Sequence, residues 1–261
     1  IIKILVCIKM TEWKDKGIIL SAKKYGEKGL ILNILTENQG RHLGWFNNYN
    51  SKNNIYDIQP GNIVDVTWKS RLNDQIGNYK IELITSVSGK IFDDRVKLQA
   101  LSSACSMIDT LLPERENYFK IFKATIAFID LISLFDENKS HAWIEGYVKW
   151  EIGVLSSIGF SLDLNECAVT GEKTNLSYVS PRTGKTVTSE GAGAYASKLF
   201  NLPYFLGGTK NQNYNFYSDV LLGLKITSYF FKNKLFTTIS NNKIVKLPDT
   251  RNRLIEMIEK L

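Results

Sequence analysis

The chain has 261 residues, of which 44% are hydrophobic and 23% are charged, and its formal net charge is +7. This composition is typical of a folded protein, and the length allows one large domain or two to three small ones. No run of about 18 apolar residues occurs, so the sequence predicts no transmembrane helix and no membrane partner. The positive charge permits an anionic partner, although the excess of Lys over Arg and the many Asn and Ile residues are also typical of AT-biased coding.

The cysteine and histidine content indicates the cellular compartment and limits the kinds of catalysis and metal binding that can be expected. Cys7, Cys105 and Cys167 are far apart and odd in number, which is not the pattern of a secreted disulfide framework. We therefore expect a reducing, cytoplasmic location. The two histidines, His42 and His141, leave little material for histidine-based catalysis or metal binding.

The first nine residues, "IIKILVCIK", are apolar but short, and Met10 follows them. They lack the basic start and the small-residue cleavage site of a signal peptide. We interpret residues 1–9 as an upstream extension before a start at Met10, with a short strand as the alternative.

Residues 10–89 are predicted to form five short strands. "KGIILSAKKYG" and "KGLILNILTENQGR" contain aliphatic runs bounded by turn signals, and "RHLGWFNNYN" follows them. Apolar residues then alternate in "NIVDVTWKSRL" and in "NYKIELITSV". Five strands in about 80 residues are typical of a small OB-fold barrel.

After Gly89 the apolar spacing becomes helical. We predict helices in "VKLQALSSACSMIDTLL", "NYFKIFKATIAFIDLISLF", "HAWIEGYVKWEIGVLSSIGF", "SDVLLGLKITSYFFKNKL" and "PDTRNRLIEMIEKL". The predicted fold class is therefore multidomain α+β. Residues 90–162 and 196–261 form the helical domain, and residues 163–195 form a small module inserted into it.

The inserted module has the spacing of a zinc ribbon without its ligands. A zinc ribbon uses two Cys-x-x-Cys pairs to present four thiolates to the metal. Here only Cys167 is a cysteine, because Thr170 stands three residues on and the second pair would fall at Thr188 and Gly191. The sequence therefore predicts a metal-free, zinc-ribbon-like module and no cofactor.

Several stretches of the chain carry a family resemblance. They are "EWKDKGIIL", "GRHLGW", "QPGNIVDVTW", "KWEIGVLSSIGFSLDLNECAVTG" and "YVSPRTGK". In these stretches, and in the order barrel, helices, module, helices, the chain resembles the RecO family of bacterial DNA repair and recombination mediators. Many members have four cysteines in the module, and this chain departs from them at three positions. The resemblance implies a module packed on an apolar core, for which we predict Tyr178, Val179 and Val187.

The resemblance also implies a function. A RecO-like protein would bind single- and double-stranded DNA and anneal strands. With RecR it would help to load RecA onto DNA coated by single-strand-binding protein, and RecF is a further expected partner. No catalytic constellation is visible in the sequence, so we predict that the protein is not an enzyme.

An OB-fold barrel binds single strands through a basic groove and aromatic faces. The candidate DNA-binding residues are Lys14, Lys16, Lys23, Lys24, Arg41, Trp45, Tyr49, Lys52, Lys69 and Arg71. The two arginines stand out because a guanidinium matches the geometry of a phosphate. The aromatic residues have an alternative role in the barrel core, which is favoured for Trp68 because of its place in an alternating strand.

Three alternatives remain open from the sequence. DNA could contact the basic C-terminal region instead, which contains Lys173, Arg182, Lys185, Lys198, Arg251 and Arg253. The protein could be a generic OB-fold single-stranded nucleic-acid-binding module. It could also be a protein-interaction scaffold whose basic charge reflects coding bias.

Overall fold

The computed structural model describes residues 11–27, 29–47, 57–71, 76–134, 141–210, 212–235 and 246–261. The chain divides into two compact units, Ile1–Lys123 and Ala124–Leu261. The extension predicted for residues 1–9 lies outside the described residues. Within the described ranges, no helix has both the length and the hydropathy needed to cross a bilayer.

The first unit contains a five-stranded barrel. Its strands are β1 (Thr11–Tyr25), β2 (Gly29–Thr36), β3 (Gly40–Asn47), β4 (Ile63–Ser70) and β5 (Gly77–Thr85). They close in the order β1-β2-β3-β5-β4, and every neighbouring pair is antiparallel except β3 and β5. The parallel seam is short, because Gly44–Gly77 and Trp45–Asn78 are the two pairs that cross it within the described ranges. The barrel and the helices described below confirm the predicted α+β fold with an N-terminal OB-fold barrel.

Aromatic side chains fill the end of the barrel next to this seam. Trp68 is 2% exposed, stacks on Trp13 at 5.4 Å between ring centroids, and donates a hydrogen bond from Nε1 to the Leu43 carbonyl. Trp68 is thus a core residue, as the alternation of apolar residues in its strand predicted. The two seam glycines are needed for this packing, since a Cβ atom at Gly44 would lie 2.2 Å from the ring of Tyr79 and one at Gly77 would lie 2.3 Å from Trp68.

His42 lies against the same aromatic cluster. Its ring centroid is 5.0 Å from that of Trp13 and 5.6 Å from that of Trp68, and the residue is 8% exposed. Burial lowers the pKa of His42 below 6.5, and the positive charges of Arg115 and Arg41 lower it further. A backbone hydrogen bond with Gln39 opposes these effects without reversing them. The imidazole is therefore held in its neutral form.

Helix α1 (Val87–Lys90) follows the last barrel strand, and helix α2 (Arg95–Leu111) packs against the barrel in the same unit. Asp94 caps α2 by accepting hydrogen bonds from the backbone N–H groups of Val96 and Lys97, both at 3.0 Å. Cys105 faces β1 and is completely enclosed, so that burial raises the pKa of its thiol to about 12.

Asp109 of α2 joins the helix to three successive strands. Its carboxylate accepts hydrogen bonds from Ser21 of β1 at 3.3 Å and from the Asn33 side chain of β2. It also pairs with the Arg41 guanidinium of β3 at 3.3 Å. One carboxylate therefore accepts from polar side chains on β1, β2 and β3 at once.

The remaining helices are α3 (Phe119–Ser133), α4 (Trp143–Ser157), α5 (Ser189–Ala192), α6 (Phe216–Phe230) and α7 (Asp249–Ile258). Helices α3, α4 and α7 lie within segments that the helical spacing predicted, and α6 begins two residues before its predicted segment. The short α5 was not predicted. A four-stranded sheet in the second unit has the order β6 (Asp163–Cys167), β8 (Lys185–Thr188), β7 (Leu176–Val179) and β9 (Phe200–Asn201).

A buried ion pair ties α4, α6 and α7 together. Glu151 of α4 is 0% exposed and Arg251 of α7 is 1% exposed. Their contact is bidentate, with Nε–Oε1 at 2.5 Å and Nη2–Oε2 at 2.9 Å. Thr227 of α6 donates to Glu151 Oε2 at 2.6 Å, and Arg251 Nη1 donates to Ser228 Oγ at 2.8 Å. Every charged atom of the pair thus has a partner inside the helical core.

Candidate nucleic-acid interface

Three of the predicted lysines lie on the outer surface formed by β1 and β4. The period of two in an extended strand directs Lys14 and Lys16 away from the core that Trp13 enters. Lys69 is on the neighbouring strand and pairs with Glu12 at 3.0 Å, with both side chains about half exposed. Lys14 and Lys16 form no ion pair with any residue that the structure describes. Their charges therefore remain available to a ligand.

Carboxylates moderate the charge of this surface. Lys14 and Lys16 line an open depression together with Asp15, Asp65, Lys80 and Glu82. Lys80 pairs with Glu82 at 3.2 Å. The surface thus has mixed charge.

A second group of candidates lies at the β1–β2 turn. Lys23 and Lys24 are exposed near the end of β1, and they have no ion-pair partner within the described ranges. Trp45 of β3 is half-buried and lies next to this turn, because its ring contacts Tyr25 at 5.1 Å between centroids. Two lysines and two aromatic rings are therefore neighbours at one end of the barrel.

Tyr25 was missed by the sequence reasoning, although it is 60% exposed and touches a predicted site residue. The signal that could have found it is its position two residues after Lys23 and directly before the turn glycine Gly26. Alternation in a strand places residues 23 and 25 on the same side.

Arg41 is held by other parts of the first unit. Its Nε donates to the Leu112 carbonyl at 2.8 Å, and its other nitrogens pair with Asp109 at 3.3 Å and Glu114 at 3.7 Å. The side chain is 12% exposed. Since these partners occupy the guanidinium, we assign Arg41 a role in attaching the segment after α2 to the barrel.

The other predicted residues are dispersed. Arg71 is exposed directly after β4, at the end of the strand that carries Lys69. Tyr49 and Lys52 lie outside the described residues. The structure thus brings together Lys14, Lys16 and Lys69 in one group and Lys23, Lys24 and Trp45 in another.

The inserted module brings the four ribbon positions together around one sulfur. Cys167 Sγ lies 3.4 Å from the backbone nitrogen of Thr170 and 3.6 Å from Thr188 Oγ1. A Cβ atom at Gly191 would lie 3.2 Å from the same sulfur. One thiol and the hydroxyls of two threonines do not form a zinc ligand set, which needs four N, S or carboxylate donors. The residues present therefore do not fit the metal, and no group of three His, Cys, Asp or Glu in the described ranges is placed to hold one.

Hydrogen-bond donors surround the Cys167 sulfur at the position where a zinc ribbon binds its metal. Burial raises the pKa of the Cys167 thiol, but donors from Thr170 and Thr188 outweigh burial and lower it to about 6. The backbone N–H of Thr188 is one of these donors, at 3.3 Å. The module core contains Val179 at 0% and Val187 at 6% exposure, as predicted, whereas Tyr178 is only half-buried.

The alternative basic region in the second unit is weakened by the structure. Arg251, which the sequence offered as a DNA contact, is buried against Glu151 and cannot meet a phosphate. Lys185 pairs with Asp163 at 3.6 Å, and the Lys198 amino group lies 5.6 Å from the ring centroid of Tyr195. The alternative region thus loses Arg251, whereas Lys173, Arg182, Lys185, Lys198 and Arg253 are exposed.

Known protein families and individual proteins are similar to both the barrel region and the helical region of the chain. The family model described as Recombination protein O N terminal matches residues 10–87, and that described as Recombination protein O C terminal matches residues 93–239. A DNA repair protein RecO of Rhodospirillum rubrum is 37% identical over 251 residues, which are 96% of this chain and 98% of that protein. Another, of Wolbachia sp. subsp. Drosophila simulans, is 38% identical over 248 residues, which are 94% of this chain and 99% of that protein.

Proposed function

Because the chain belongs to the recombination protein O family, we propose that it is a DNA-binding recombination mediator. In this proposal it binds single- and double-stranded DNA and anneals strands. With RecR it helps to load RecA onto DNA coated by single-strand-binding protein, and RecF is a further candidate partner. The family itself belongs to recombination and DNA repair, while the DNA contacts and the partners are what we propose for this chain.

The observation that carries the DNA-binding proposal is the set of unpaired lysines on the outside of the barrel. Lys14, Lys16, Lys23 and Lys24 have no ion-pair partner among the described residues, so no intramolecular contact must break when they meet a phosphate. Lys69 contributes after releasing an exposed partner, which costs little because exposed pairs are weak. Arg71 extends this surface at the end of β4.

We propose that the two units have different binding roles. The barrel contacts DNA, and the helical unit docks RecR and the other proteins. We support this division by the burial of Arg251, which removes this cation of the second unit from contact with DNA.

The test is a fluorescence titration of a labelled single strand at several salt concentrations. Each phosphate contact adds about 0.7 to the magnitude of the slope of log affinity against log salt. The double variants Lys14→Ala/Lys16→Ala and Lys23→Ala/Lys24→Ala should therefore each lower the slope by about 1.4. Lys246→Ala/Lys260→Ala, at exposed lysines of the second unit, is the matched control and should leave the slope unchanged.

Two results would contradict the proposal. A wild-type affinity without salt dependence would favour a protein-interaction scaffold. A slope lowered only by the control pair would place DNA on the second unit. A pull-down with RecR separates the mediator from a generic OB-fold module, because the lysine variants should retain RecR while losing DNA.

A further inference from the structure

A groove of about 310 Å³ opens at the barrel surface where β3 meets β5. It exists because the two strands pair through only two residues each and then separate. Phe46 and Tyr79, which are 8% and 6% exposed, form its deep apolar part. The exposed residues Asn47 and Asn78 stand at its rim. The groove thus has an apolar interior and amide groups at its mouth, which is the usual make-up of a small-ligand site.

Trp45 forms part of the groove lining and is held in place on three sides. Its ring covers Gly29 so closely that a Cβ atom there would lie 2.2 Å from Cζ2. Tyr25 meets the ring nearly at a right angle, at 82° and 5.1 Å between centroids. The indole Nε1–H donates to Asn47 Oδ1. The indole is therefore preorganised, and a ligand that stacks on it does not have to order it first.

The chemistry of the groove selects a flat, uncharged ring with polar edges. An aromatic wall offers stacking to any such ring. Because Asn47 accepts from Trp45 through its oxygen, its NH₂ group is left to donate, and Asn78 can both donate and accept. Asp57, also in the lining, supplies a carboxylate that can accept from a ring N–H or an exocyclic amino group. These are the hydrogen-bonding needs of a nucleobase.

The surrounding charges indicate what such a base would be attached to. Lys23 and Lys24 are exposed on the strand that ends at Tyr25, which braces Trp45. Lys80 lines the groove itself. A base in the groove would therefore have cations nearby to contact the phosphates on either side of it.

We infer that this groove takes one unpaired nucleobase of a single strand, stacked on Trp45 and held at its edge by Asn47 and Asn78. The inference rests on the proposed DNA binding and adds to it a preference for unpaired strands. A duplex cannot present this face, because its bases are already stacked on their neighbours. Tyr25 acts as a positioning residue through Trp45.

The experiment compares two oligonucleotides that share one phosphate backbone, a thymidine strand and the same strand built from abasic nucleotides. The wild-type chain should bind the thymidine strand about 5-fold to 150-fold more tightly, which is the range for stacking one base. Trp45→Leu should reduce this ratio to about 1 and leave the affinity for the abasic strand unchanged. Trp45→Phe keeps an aromatic face and should restore most of the ratio.

Tyr25→Leu should lower the ratio part of the way, and Tyr195→Leu is its matched control, since Tyr195 is a 67% exposed tyrosine of the second unit. The salt slope should be the same in all these variants, because the phosphate contacts are intact. Circular dichroism verifies that each variant is folded. If Trp45→Leu does not fold, Tyr25→Leu still tests the groove.

The outcomes separate this inference from the proposed function. Salt-dependent binding with equal affinity for the two strands would overturn the base site and leave DNA binding in place. A ratio that survives both Trp45→Leu and Tyr25→Leu would also overturn it. The absence of binding to either strand would overturn both proposals.

Discussion

The buried pair of Glu151 and Arg251 makes the stability of the helical unit sensitive to one-sided substitution. Replacing Arg251 with Met removes the cation and leaves the Glu151 carboxylate at 0% exposure, where its remaining partner among the described residues is the Thr227 hydroxyl at 2.6 Å. Removing one member of a buried pair costs about 3–5 kcal/mol, because the other charge is left without compensation. We expect the same cost for Glu151→Leu, which strands the guanidinium instead.

The double variant Glu151→Leu/Arg251→Met should be more stable than either single variant. Apolar pairs of similar volume often replace buried ion pairs at little cost. The neighbouring hydroxyls keep partners without the pair, since Thr227 and Ser228 also donate to the Leu224 carbonyl, at 3.2 and 2.6 Å. Few polar groups are therefore left unsatisfied when both charges are removed.

Urea denaturation followed by far-ultraviolet circular dichroism measures these differences in the free energy of unfolding. Each single variant should also lower the melting temperature of this unit by about 10 °C. The DNA salt slope of Arg251→Met should equal that of the wild type, since the buried guanidinium contacts no ligand. A single-variant cost below about 1 kcal/mol, or a double variant less stable than both singles, would refute the reasoning.

Three further outcomes are expected. Acidification from pH 7.5 to 5.5 should destabilise the wild type more than His42→Gln, because the pKa of His42 is lowered below 6.5 and the unfolded chain binds the extra proton first; equal pH dependence of the two melting temperatures would contradict this. Gly40→Ala should cost several kcal/mol in unfolding free energy, since Gly40 has φ +75° and the new Cβ would lie 1.8 Å from the Glu116 carbonyl oxygen; a cost under about 1 kcal/mol would show that the contact relaxes easily. Purified protein should contain no stoichiometric zinc, and chelation should leave the helical signal unchanged, because one thiol and two threonine hydroxyls surround the ribbon centre; elemental analysis that finds about one zinc per chain would overturn this.

Local periodicity was sufficient to predict the barrel strands and the main helices. The alternation around Trp68 placed it in the core, and the ribbon spacing identified Thr170, Thr188 and Gly191 as neighbours of Cys167. The first prediction succeeds because strand alternation repeats within a few residues. The second holds because β6 and β8 pair in parallel and bring Cys167 beside the residues around Thr188.

The roles of the two arginines could not be predicted in this way. Arg41 resembled a phosphate contact, but its partner Asp109 is 68 residues further along the chain. Arg251 lies 100 residues from Glu151. A guanidinium looks the same in sequence whether it meets a phosphate or a buried carboxylate, and only the tertiary fold decides between them. The same applies to Tyr25, whose contact with Trp45 depends on the register of β1, β2 and β3.

The attachment of Asp109 to three strands has a consequence for the order of events during synthesis. All five strands have been synthesised once Thr85 has been added, yet Asn33 and Arg41 still lack the carboxylate to which they donate. Domains generally fold as units from the N-terminus while the chain is being made. The nascent barrel therefore stays incomplete on one flank until α2 emerges, and translation of α2 sets the moment at which the first unit can close. A ribosome that pauses before Asp109 would hold that flank open to water and to chaperones.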